Sequence, residues 1–162
     1  MKRNEIILAT IIDECRKHQL RLNYAYNKLA PEVPFKVNQE LSDEVIAALD
    51  QYIFRFSKLQ DAIGKKLFKE LLQYLGEEFY DKSFLDVFNR LEQLGVIEDY
   101  EIWNELRIVR NEIAHEYDEN KAELIENCNR IIDNKAKLEK YFNDVLRYIK
   151  SKDWNFLEEA RN

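Results

Sequence analysis

Turn formers are scarce enough in this chain to dictate its architecture. Among 162 residues there are three Gly and two Pro, and both prolines fall in one segment, Ala30-Pro31-Glu32-Val33-Pro34. Proline fixes its own φ and offers no N–H, so that segment must be a loop. An all-β chain of this length would need many more turn residues. Long helices are the simplest reading, and the expected fold class is all-α. The length favours one domain, residues 1–162, large enough to bury roughly two-thirds of its unfolded surface.

Apolar spacing then places the helices. Ile7, Ile11, Cys15, His18 and Leu22 hold one stripe of a first helix over residues 4–29, with Leu8 and Ile12 widening it. His18 lies near that stripe and reads as a core-edge histidine rather than a ligand. Because the prolines follow, residues 1–38 are expected to form an added helix and loop packed on the remainder. Ser42 caps a second run, Val45 to Leu75, that stops at Gly76. Uninterrupted, it would be a rod of about 50 Å. Gly64 predicts a bend or a close helix crossing within it. Arg55, Gln60 and Asp61 read as a solvated face of this rod, unless one of them reaches across to a neighbouring site. Asp81 or Ser83 caps a shorter helix, Phe84 to Leu94, with Leu85, Phe88, Leu91 and Leu94 inward. Asp99 caps the next, and a last long helix runs from Lys121 to Ile149 with one lapse in its stripe at Lys135. Asp153 caps a short tail around Trp154 and Leu157. About five helices joined by short turns predict an up-and-down bundle.

The stretch W-N-E-L-R-I-V-R-N-E-I-A-H-E-Y, Trp103 to Tyr117, carries a second pattern beside its core stripe of Leu106, Val109 and Ile113. At 100° per residue Arg110, Ala114 and Tyr117 fall within about 60° of one another. Asn111 and His115 stack one turn apart on the adjoining sector, and Arg107 lies near Arg110 with Trp103, bordering the same cleft. Asp61 is a candidate to orient Arg110 or His115. His115 titrates near neutrality and can serve as acid or base. Arg110 offers a planar, permanently charged fork for phosphate oxygens. Two histidines and two distant cysteines give no metal signature, and no glycine-rich phosphate loop occurs, so no cofactor is expected. A formal charge of -6 argues against a generic nucleic-acid coat but leaves room for one phosphate held by local arginines. Cys15 and Cys128 fit free thiols in a reducing compartment. No apolar run approaches a membrane span, which points to a cytoplasmic protein without a membrane partner.

Arg110-Asn-Glu-Ile-Ala-His115-Glu-Tyr117 resembles the signature of the HEPN superfamily, an Arg followed by a polar residue and then, four to six residues on, a His. The Tyr two past the His narrows the resemblance to the HepT-like ribonuclease toxins and their R-x4-H-x-Y pattern. Leu49-Asp50, R-F-S-K-L-Q-D at 55–61, G-K-K-L-F at 64–68, N-R-L-E-Q-L-G at 89–95 and W-N-E-L-R at 103–107 are similar to the same family, over about 42–150. The resemblance implies a HEPN-like bundle that cuts RNA without a metal, Arg110 and His115 being catalytic with Asn111, Arg107 and Asp61 in support. It implies a homodimer, since one His supplies half of an acid–base pair. It also implies a minimal nucleotidyltransferase as antitoxin, which would adenylylate Tyr117. Other bundles of this superfamily are inert partners of nucleotidyltransferases, and that alternative stays open.

Overall fold

The periodicity of the first helix decides how the bundle begins. In the computed structural model, which describes residues 2–78, 81–114 and 121–159, α1 runs Arg3–Leu29 and α2 Asp43–Asp61. Leu8, Ile12, Cys15, Leu22, Ala25 and Leu29 repeat along one side of α1, and all are fully buried. That side packs along α2. The helix expected as an addition is therefore built into the common core. In the proline loop, buried Phe35 donates its N–H to Asn129 Oδ1 (2.8 Å) and accepts from Asn129 Nδ2 (2.9 Å) at its carbonyl. This pairing satisfies both backbone groups of a loop residue that has lost water.

Ser42 caps α2, its hydroxyl accepting from the Val45 N–H at 3.2 Å. The apolar run beyond it is one rod in three pieces. α2 passes into a π-helical stretch, Ala62–Leu67, and then into α3, Phe68–Tyr74; Gly76, at φ 80°, ends it. Gly64 lies in the π stretch, where a Cβ would come within 2.7 Å of Trp103 Cζ2. The feature predicted at Gly64 is thus a close crossing of helices. α4, Phe84–Gln93, is capped by Ser83 in a reciprocal box with Asp86, and it buries Val87, Phe88 and Leu91. Leu85 is a correction: it is 44% exposed, because the inward stripe runs through Val87, Phe88 and Leu91 and leaves it one sector outside.

α5, Tyr100–Ala114, follows Asp99. Asp99 takes φ 68°, and its carbonyl accepts from the N–H groups of Ile102 and Trp103 and from the Tyr141 hydroxyl at 2.6 Å. The single helix expected from Lys121 to Ile149 is two, α6 (Lys121–Asp133) and α7 (Lys135–Ser151). Asn134 between them sits at φ −91°, ψ 3°, and its Nδ2 donates to the Arg130 carbonyl at 2.7 Å. The break coincides with the lapse at Lys135, whose largely buried ammonium pairs with Glu139 at 2.6 Å and lies over the Tyr26 ring. A four-residue α8, Phe156–Glu159, ends the described chain, with Trp154 edge-on to Tyr74 and Phe156 tilted against it. The protein is an all-α bundle, as expected. Among the described residues no helix is long and apolar enough to cross a membrane.

Candidate functional site

Trp103 fixes the pose of α5. Only 5% exposed, it stacks on Phe84 at 5.6 Å and meets Phe68 at 5.3 Å and Tyr141 at 5.1 Å, with Gly64 beneath its ring. It belongs to the core, so the expectation that it borders an open cleft is corrected: the bare glycine on the π stretch lets the indole sink between helices. Seven residues on, nearly the same angular sector of α5 presents Arg110 to the end of α2.

There the guanidinium meets Asp61. Arg110 Nη2 donates to Asp61 Oδ2 at 2.9 Å and Nη1 donates to Oδ1, a two-pronged fit of planar fork to carboxylate. Lys65 Nζ stands 3.5 Å from the same carboxylate, one turn along the rod. Burial pushes the Asp61 carboxyl up, but the Arg110 hydrogen bonds and charge, with Lys65 behind them, outweigh it and hold the group below its ordinary range. Both side chains are 29% exposed. Among the described residues Asp61 is the acceptor for both Nη groups of the guanidinium. Asp61, a candidate from sequence, does reach Arg110.

The other polar residues of the rod are not a solvated face either. Gln60 is 4% exposed, and its buried Oε1 has no hydrogen-bond partner among the described residues. Arg55 Nη1 donates to His18 Nδ1 at 3.0 Å. A guanidinium has only donors, so Nδ1 holds the lone pair and Nε2 the proton, 3.7 Å from the Glu14 carboxylate. Burial and the charge of Arg55 together lower the imidazole's affinity for a second proton, against the pull of Glu14. Lys66 closes the chain on Glu14 at 2.9 Å. His18 is thus a half-buried histidine at the core edge, as its position near the apolar stripe predicts.

Arg107 and Asn111 are not joined to that pair by a hydrogen bond or ion pair among the described residues. Arg107 is exposed and donates along its own helix to Asn104 Oδ1 at 2.8 Å, and Asn111 is exposed on the next sector. His115 and Tyr117 lie outside the described residues. Sequence reading passed over Phe54, which is 52% exposed with Arg55 and Lys58 lying over its ring. The available signal was an aromatic residue off the apolar stripe and between bases, F-R-F-S-K at 54–58.

A family model described as nucleotidyltransferase substrate binding protein like matches residues 21–148, a span that takes in Asp61, Arg110, His115 and Tyr117. No curated protein and no solved structure matches the chain.

Proposed function

The chain belongs to the nucleotidyltransferase substrate binding protein-like family, and from that premise we propose that it is a non-catalytic helical partner of a nucleotidyltransferase, binding a substrate for it. The observation that carries this reading is the occupied fork of Arg110. A nuclease would turn that fork on a pentacoordinate phosphorane, where an adjacent carboxylate repels the developing charge. Here Asp61 takes both Nη groups and Lys65 backs it, so the fork ties α5 to α2 and holds a fixed helical face for a partner. A binding protein needs no more than that.

A second reading rests on the spacing Arg110-x4-His115: a metal-independent RNA endonuclease, the toxin of a toxin–antitoxin pair. In it His115 moves protons and Arg110 steadies the phosphate, and a symmetric homodimer supplies the second acid–base group. The partner enzyme then silences it by transferring AMP from ATP to the Tyr117 oxygen, the phenol proton being lost and pyrophosphate leaving. Incubating purified protein with RNA separates the readings. The partner reading expects intact RNA with wild type and His115→Ala alike. Cleavage by wild type that vanishes in a folded His115→Ala variant overturns it in favour of the nuclease.

A further inference from the structure

We infer that the outward strip of α1, made of Lys17, Leu20, Arg21, Tyr24 and Lys28, is the surface on which a nucleotidyltransferase docks, and that it meets an acidic protein surface with an apolar socket at its centre. The inference rests on the partner reading above and says where that partner binds and by what chemistry. At 100° per residue these side chains fall within about 100° of one another and run about 16 Å along the helix. All of them are exposed, while Leu22, Ala25 and Leu29 on the other side of the same turns are fully buried. Leu20 is 68% exposed, the most of any large apolar side chain among the described residues, and Tyr24 one turn on is 52% exposed. Lys28 Nζ lies over the Tyr24 ring, 4.4 Å from its centroid, which orders both side chains before a partner arrives. An aliphatic and an aromatic residue one turn apart are the kind of anchors by which a helix face docks on a groove.

The charge of the strip runs against that of the chain. Residues 15–31 contain Arg16, Lys17, Arg21 and Lys28 and no Asp or Glu. Residues 2–29 carry six Lys/Arg against three Asp/Glu, which leaves 19 against 28 in the remainder. The two acids just before the strip are already engaged, Asp13 with Lys17 at 3.8 Å and Glu14 with Lys66 at 2.9 Å. Arg21 has no hydrogen-bond or ion-pair partner among the described residues, so its fork is open to a carboxylate from outside. A basic patch on an acid-rich molecule selects a negative partner surface and fixes its register. The apolar component separates a protein from other acidic surfaces. Leu20 has no ring to stack on a base, and Lys28 already covers the Tyr24 ring. A membrane surface takes a continuous apolar face, whereas exposed Thr10 and Asp13 interrupt the line between Ile6 and Leu20. Apolar anchors ringed by bases match the apolar core and charged rim of a protein interface.

The experiment measures, by titration calorimetry at low and high salt, binding of the full chain to a nucleotidyltransferase of the kind proposed above. Leu20→Ala combined with Tyr24→Ala should weaken the complex about tenfold or more, with little change in the urea midpoint because both side chains stand outside the core. Arg21→Glu should weaken it and reduce its loss of affinity with salt. Lys150→Glu makes the same charge change at an exposed position of α7 and should leave affinity within about twofold. Strip variants that bind as wild type does, or a Lys150→Glu that weakens binding as much as Arg21→Glu, overturn the docking strip and leave the partner reading standing. Wild type that forms no complex overturns both. Wild type that instead binds phosphatidylserine vesicles or an oligoribonucleotide through Leu20 and Arg21 assigns the strip to a membrane or to nucleic acid, and the protein docking surface is overturned.

Discussion

Removing one carboxylate should loosen the α2–α5 junction. Asp61→Asn strips the charge from a two-pronged ion pair and leaves Arg110 half-buried beside an amide. The expected loss is about 1–2 kcal/mol, measured by urea unfolding. The same change should alter the acid limb of stability. The Asp61 carboxyl is held below its ordinary value of 3.8, so its contribution is complete above that value and disappears as pH falls through the lowered one. Wild type should lose stability over that interval and Asp61→Asn should not. Gly64→Ala tests the neighbouring contact with opposite expectations from two effects. Helix propensity favours alanine by about 1 kcal/mol. A Cβ at 2.7 Å from the Trp103 ring, pinned by Phe68, Phe84 and Tyr141, has nowhere to push it, and overpacking costs about 1–3 kcal/mol. Net destabilisation in urea is the expected result. From sequence, Arg110 and Asp61 could each be placed on a helix sector. Their meeting could not be read there, because it depends on where two helices cross.

Between α1 and α2 the decisive group is His18. Its imidazole accepts from Arg55, and its proton affinity is reduced from the ordinary 6.5. Arg55, Lys58, Glu14 and Lys66 are the charged groups around it. The unfolded chain therefore takes a proton first as pH drops, and the folded state loses stability below about 6.5 until the lowered value is passed. His18→Gln should flatten that slope in unfolding experiments across mildly acid pH; an unchanged slope would assign it to other groups. At this scale the sequence was most legible. Caps at Ser42 and Ser83, the stop at Gly76 and the crossing at Gly64 each have a local chemical cause. The division of the last helix at Asn134 was visible only as the lapse at Lys135, since a helical stripe can lapse without the backbone breaking. Leu85 misled because an apolar residue off the stripe carries no mark of exposure.

For the molecule as a whole, α1 decides whether there is a core. Deleting residues 2–20 removes the buried Leu8, Ile11, Ile12 and Cys15. Losing even one such aliphatic side chain costs about 2–5 kcal/mol, against a total stability of about 5–15. The truncated chain should be unfolded by circular dichroism, although the family match begins only at residue 21. The bundle class was legible because scarce turn formers and long stripes leave few alternatives; the role was less so, since one motif fits both a nuclease and an inert partner. The direct test of the central claim is light scattering on the purified chain mixed with a nucleotidyltransferase of the kind proposed as its partner. The account predicts one complex of fixed stoichiometry at micromolar concentration. Two species that stay at their separate masses would contradict it.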